Sequence, residues 1–130
     1  MKEHTSTVRV RYGETDQMGV VYHANYFLYF ELGRTELLRA TGLPYGELEA
    51  RGVFLVVTDA GCRYRAPARY DETLEVRTRV DRLGRASVRF AYEVRGPDGR
   101  LCADGHTELA AVDSGKRPVR LPEDVAARLR

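Results

Sequence analysis

Between residues 12 and 26 the chain gathers Tyr12, Glu14, Asp16, Tyr22, His23, Asn25 and Tyr26, two carboxylates, a histidine, an amide and three tyrosines, around Gly13 and Gly19. Loops held by rigid elements are where reactive groups of this kind tend to sit. A helical pattern begins at about Ala24. The first amides of a helix have no acceptor inside it, and with the macrodipole they make a ready site for negative charge, including the oxyanion of an acyl-transfer intermediate. Asp16 stands upstream of that start, across Gly19. Hydrogen bonds to its charged form would keep such a carboxylate ionised. It could then attack a carbonyl or take a proton from water. Loop and helix start therefore combine a base or nucleophile with an oxyanion site, the two halves of a hydrolytic centre. Taken singly, Asp16 reads as a turn residue, His23 as a packed histidine, and Asn25 as an N-cap; only the whole string argues for chemistry. Ser6, Ser87 and Ser114 lie in no Gly-x-Ser-x-Gly context, so no serine nucleophile competes.

The elements around this loop follow from periodicity. Ser6, Val8, Val10 and Tyr12 alternate with Thr7, Arg9 and Arg11, which predicts a strand. From about Ala24 to Ala40, Phe27, Phe30, Gly33, Leu37 and Leu38 fall at helical spacing, with Glu31, Arg34, Glu36 and Arg39 largely on the polar side. Gly42 and Pro44 end this helix, and Tyr45 to Arg51 reads as a short helical piece. Four strands are expected next: Val53–Val57 continuing, after an irregularity, into Gly61–Arg65; then Leu74–Val80, Val88–Val94 and Leu101–Val112. Turn chemistry at Arg82-Leu83-Gly84-Arg85 and Gly96-Pro97-Asp98-Gly99 predicts hairpins. Pro122 to Arg130 is expected to form a terminal helix. The economical arrangement is an α+β fold, a curved antiparallel sheet of about five strands wrapped around one long central helix. It leaves a sheet face and an edge strand free for self-association.

Composition narrows the classes. A chain of 130 residues fits one domain. Hydrophobic residues at 43% and charged residues at 31% fit a globular protein rather than a disordered one. Twenty-one basic against 19 acidic residues leave a net charge of +2, too balanced for an electrostatic nucleic-acid binder. No apolar run approaches the roughly 20 residues of a membrane helix. Met1 to Thr7 lacks the apolar core of a secretory leader, so a cytoplasmic location is expected. Cys62 and Cys102 form no metal or redox motif and read as buried thiols.

The run Asp16-Gln17-Met18-Gly19-Val20-Val21-Tyr22-His23-Ala24-Asn25-Tyr26, followed by Phe30-Glu31 and Arg34-Thr35-Glu36, resembles the signature of the hotdog-fold acyl-CoA thioesterases. The similar branch is the 4-hydroxybenzoyl-CoA thioesterase-like one, which includes the Tol–Pal-associated acyl-CoA thioesterases. Tyr64 to Leu74 resembles the family's strand-turn-strand element. The resemblance spans about residues 7 to 113 of a single domain, 1–130. It implies a hotdog fold assembled as a homo-oligomer, a dimer or dimer of dimers (homotetramer), with the thioester bound at the dimer interface. It implies no metal and no cofactor apart from the coenzyme A of the substrate. The catalytic carboxylate falls on Asp16, as nucleophile or general base, the two undistinguished by sequence. The amide that polarises the carbonyl falls on His23, and the Tyr22 and His23 side chains line the site. Gly19, Val20 and Val21 are read as substrate-contacting. Basic residues are expected around the coenzyme A phosphates, with Arg85 and Ser87 beside a hairpin and Lys116 and Arg117 after the last strand as candidates. Arg77 and Arg79 read as the wet face of the sheet. Gln17-Met18 departs from the family pattern and leaves chain-length preference open. The alternative is a non-catalytic acyl-CoA-binding or sensor module of the same fold. A dehydratase is disfavoured because the acid precedes the helix and His23 stands at its start; nothing argues for a purely structural interaction protein.

Overall fold

A computed structural model describes residues 1–130. It contains β1 (Glu3–Arg9), α1 (Tyr26–Ala40), α2 (Tyr45–Ala50), β2 (Phe54–Tyr64), β3 (Thr73–Leu83), β4 (Ser87–Arg95), β5 (Leu101–Val112) and α3 (Glu123–Leu129). Single 3-10 turns stand at Tyr12–Glu14 and His23–Asn25. The strands make one antiparallel sheet in the order β1-β3-β4-β5-β2. Alternation decides which face is covered. Leu74, Val76, Thr78 and Val80 of β3, and Val88, Phe90, Tyr92 and Val94 of β4, are buried, while Glu75, Arg77 and Arg79 face outward. α1 lies on the inner face and buries Tyr26, Tyr29, Phe30, Gly33, Leu37 and Leu38. This is the expected hotdog arrangement.

Two glycines set how closely helix and sheet approach. A Cβ on Gly33 would meet the Thr78 hydroxyl and lie 2.9 Å from a Val76 methyl. A Cβ on Gly105 would lie 2.7 Å from the Phe30 ring, which stacks on Tyr92 at 4.3 Å between centroids. Gly42, at φ 89°, ends α1 as expected. The expected irregularity in β2 is a register shift between Val57 and Asp59.

Several expectations change. Phe27 is 37% exposed, and Tyr26 and Tyr29 take its place against the sheet. At about 100° per residue, Phe27 lies at the rim of the stripe centred on Phe30 and Gly33, while Tyr26 falls near its middle. β1 starts earlier, at Glu3, and ends at Arg9; Tyr12 leaves the strand and is 77% exposed. Only β3–β4 and β4–β5 are joined by tight hairpins. Because β2 pairs with β5, the link from β2 to β3 crosses towards the other side of the sheet. The core also runs beyond residue 113: Leu121, Val125 and Leu129 join the same apolar cluster as α1 and the sheet. No helix is long and apolar enough to cross a membrane.

The close approach at Gly33 makes it the position least tolerant of a side chain. Gly33→Ala gains about 1 kcal/mol of helix propensity but forces overpacking that costs about 1–3 kcal/mol. Thermal unfolding of this variant should therefore show a lowered Tm, with the far-ultraviolet spectrum retained.

Candidate active site

The loop after β1 is folded by its own backbone. Val10 donates to the Glu72 carbonyl at 2.9 Å, and the chain then makes the Tyr12–Glu14 turn. Thr15 and Val21 face each other as a one-bridge hairpin. The Asp16 N–H donates to the Val20 carbonyl and the Tyr22 N–H to the Glu14 carbonyl, both at 2.9 Å. Gly19 supplies the positive φ (79°) this reversal needs, and its N–H donates to the Asp16 carbonyl. The hairpin sets Asp16 opposite Val20, and Glu14 opposite Tyr22 where the chain enters the helix start. Asp16 Oδ1 accepts the Met18 N–H at 2.9 Å, as in an Asx turn, while Oδ2 accepts no hydrogen bond from the chain. Asp16 is therefore both the turn residue its type suggests and a half-exposed carboxylate with a free oxygen.

Glu14 pins this hairpin to α1. Its carbonyl accepts the Asn25 side-chain amide at 2.8 Å in addition to the Tyr22 N–H. Its Oε1 accepts the Arg11 N–H at 2.8 Å and the Tyr29 hydroxyl at 3.1 Å. Burial, reinforced by the Glu14 charge, pushes the Tyr29 pKa up, so the hydroxyl keeps the proton it donates. Asn25, expected as a helix cap, makes no side-chain cap bond and ties helix to loop instead. On the other side, the Val21 N–H donates to the Ala68 carbonyl at 2.8 Å and Val20 bridges Arg69. Arg100 braces that neighbouring segment through Glu72 (2.6 Å) and the Pro67 carbonyl (3.0 Å).

At the helix start the Asn25 N–H donates to the Tyr22 carbonyl at 2.9 Å, while the N–H groups of His23 and Ala24 meet no acceptor in the chain. The Tyr22 and His23 rings are exposed and lie 4.4 Å apart. Tyr64, at the end of β2, donates its hydroxyl to the His23 carbonyl at 3.0 Å. One loop thus carries a carboxylate with a free oxygen and leads into a helix start with two unengaged amides, groups of the kind that can activate water or attack a carbonyl and stabilise an oxyanion.

Other expected site residues are distributed differently. Gly19 and Val20 belong to the hairpin, but the Val21 side chain is buried in the core instead of facing a substrate. Arg85 stands in the β3–β4 turn, Ser87 opens β4, and Lys116 and Arg117 follow β5. The Asp16 hairpin rests against residues 68–69, near the opposite end of β4 and the start of β5. At about 3.3 Å per residue, the length of β4 separates these two groups by roughly 26 Å. One chain does not bring them together. Glu14 and Asn25 carry a signal in the sequence only as members of the residue 12–26 string, and Tyr64 only as part of the second motif.

Two cavities bear on the chemistry. The larger, about 710 Å³, lies on the outer sheet face among Arg63, Arg77, Arg79, Arg89, Glu93 and His106, and no loop residue lines it. Its charges largely pair among themselves, as in Arg79–Asp81 (2.8 Å) and Arg89–Asp81 (3.2 Å), which makes it the wet sheet face expected of Arg77 and Arg79. The smaller, about 340 Å³, lies between α1, α2, β2 and β5 and is lined by Leu38, Tyr45, Leu55 and Leu109 with Glu31, Arg34 and Thr35. No cluster of three or more His, Cys, Asp or Glu side chains is placed to hold a metal ion.

Comparison with known proteins assigns the family. The thioesterase-like superfamily model matches residues 10–129, and the chain belongs to that family. It is 35% identical over 124 residues to the acyl-CoA thioester hydrolase YbgC of Escherichia coli O6:H1, covering 95% of this chain and 92% of that one. Among solved structures it is similar to the hypothetical protein TT1821 of Thermus thermophilus, with a TM-score of 0.92 and 44% identity over 98% of this chain and 95% of that one. It is also similar to a DHNA-CoA thioesterase of Staphylococcus aureus, with a TM-score of 0.90 and 34% identity over 93% of this chain and 82% of that one.

The Asn25 bond should matter to the loop more than to the helix. In Asn25→Ala the Glu14 carbonyl keeps only the Tyr22 N–H, a loss of about 1 kcal/mol. Hydrogen exchange should then speed up at Asp16 and Tyr22 while the amides in the middle of α1 stay protected.

Proposed function

We propose that this protein hydrolyses acyl-CoA thioesters to the free acid and coenzyme A, with Asp16 as the reactive carboxylate and the His23 N–H as oxyanion donor. That the chain is a thioester hydrolase follows from its family; the substrate and the roles of the residues are the proposal. The single observation that carries them is the backbone hairpin, which joins a carboxylate with a free oxygen to a helix start with unengaged amides. The thioester oxygen accepts the amide hydrogen, and Asp16 either attacks the carbonyl carbon or removes a proton from an attacking water. The carbon–sulfur bond breaks, coenzyme A leaves as the thiolate, and in the first route water then hydrolyses the mixed anhydride. The steps use protein groups and water, with no cofactor beyond the substrate's own coenzyme A. A cytoplasmic location is part of the proposal.

The working unit is proposed to be a homodimer or larger, paired through β2. This strand has one sheet neighbour, β5, and exposes Val56 (39%) and Val57 (50%) along with Tyr64. A long edge with apolar side chains invites pairing with another strand. Two β2 strands paired antiparallel about a two-fold axis put the start of one beside the end of the other. In one chain Phe54 pairs with Val112, just before the turn holding Lys116 and Arg117, while Tyr64 touches His23. The basic groups of one copy, with Arg85 and Ser87 at the same sheet end, would then approach the Asp16 hairpin of the other and meet the coenzyme A phosphates. The cavity beside Leu55 would receive the acyl group.

Three measurements check these roles. Asp16→Asn should fold normally and lose about 10²–10⁴-fold in turnover, followed as thiol release from acyl-CoA thioesters of varied length; turnover near wild type would remove Asp16 from the mechanism. Single turnover in heavy-oxygen water would label the Asp16 carboxylate only if it attacks. Val57→Lys should shift sedimentation towards the monomer and lower activity in parallel, and a fully active monomer would overturn the shared site.

A further inference from the structure

The Tyr64 hydroxyl reaches across from the edge strand to the 3-10 turn that opens the helix, and its target is a peptide group with a free N–H. In a trans peptide the C=O and N–H point in opposite directions, so holding the oxygen aims the hydrogen. The Tyr22–His23 peptide is held by the Asn25 N–H on the Tyr22 carbonyl, and this aims the His23 N–H. The next peptide, His23–Ala24, is held through the His23 carbonyl, towards which the Tyr26 N–H points from within the turn and the Tyr64 hydroxyl from outside it, at 3.0 Å. We propose that Tyr64 is a positioning residue: its bond to the His23 carbonyl aims the Ala24 N–H, so that the thioester oxygen is held by two amides, His23 and Ala24, rather than one.

The surroundings suit this role. The Tyr64 ring stands edge-on to both His23 (6.0 Å) and Tyr26 (5.6 Å), which fixes where the hydroxyl points. Burial, then the neighbouring Cys62 thiol, holds the Tyr64 pKa above its ordinary value, so the hydroxyl remains a donor near neutral pH. Tyr64 lies on the same strand whose edge carries Val56 and Val57, so the aim of the Ala24 amide is referenced to β2 and not to the helix alone.

This inference rests on the proposed role of the helix start, and the experiment separates the two. Tyr64→Phe keeps the ring contacts and removes only the oxygen. With an acyl-CoA that the wild type hydrolyses, kcat should fall about tenfold or more while KM stays within about twofold, the pattern of an interaction used mainly in the transition state. In the Asp16→Asn background, which holds substrate uncleaved, the infrared carbonyl band of the bound thioester should move towards its free frequency when Tyr64→Phe is added. An unchanged kcat, or a fall in kcat with an unmoved carbonyl band, overturns the positioning role while leaving Asp16 in place. Failure of the wild type to release thiol from any acyl-CoA overturns the underlying function and this inference with it.

Discussion

Glu14 accepts hydrogen bonds at both its main-chain carbonyl and its carboxylate, and the geometry of the site depends on that double use. The carbonyl takes the Tyr22 N–H and the Asn25 side chain; the carboxylate takes the Arg11 N–H and the Tyr29 hydroxyl. These bonds join the end of β1, the Asp16 hairpin and the first turns of α1 into one unit. Each is worth about 1 kcal/mol, comparable with the backbone entropy of ordering a single residue. Several must therefore act together to hold a loop this long in one conformation. The result is a carboxylate whose position relative to the helix start is set by covalent connectivity and a few short bonds, with no other subunit required.

The sheet divides the remaining work. Its inner face is apolar and fits closely round α1, to the point that Gly33 and Gly105 leave no room for a side chain. That tight contact holds the helix start still relative to β3 and β5. The outer face is a mosaic of arginines and carboxylates, largely paired with each other, and offers an acyl carbonyl no obvious electrophilic or nucleophilic partner. The corner to which the reaction is assigned under the proposed function lies instead where the helix start meets the end of the edge strand β2. In the proposed dimer, the exposed apolar edge of β2 is what would bring Asp16 of one copy towards Arg85, Lys116 and Arg117 of the other, which stand at opposite ends of the sheet in a single chain.

Much of this was legible in the sequence because the signals are local. Period-two alternation marks β3 and β4, glycine and proline mark the two hairpins and the end of α1, and the Asp16–Tyr26 string marks the loop. The misreadings share a cause. Phe27 looked like a core residue because hydrophobicity alone does not phase a helix against a sheet; the close fit at Gly33 does, and it turns Tyr26 and Tyr29 inward. Tyr12 continued the alternation of β1 on paper, yet the Glu14 bonds draw the chain out of the strand. Asn25 has the type of a cap, but its side chain donates to the Glu14 carbonyl and accepts no helix amide.

What the sequence by itself determined is the set of elements, the inward face of each central strand, and the residue types assembled before the helix. All of these depend on neighbours within a few positions. Only the tertiary structure decided that β2 pairs with β5 and becomes an edge, that Tyr64 reaches His23, that Val21 turns into the core, and that Arg85, Ser87, Lys116 and Arg117 stand far from Asp16 in the same chain. These are outcomes of strand order and register. They bring together residues distant in the chain, and no local pattern encodes which strand a given strand will choose as its neighbour.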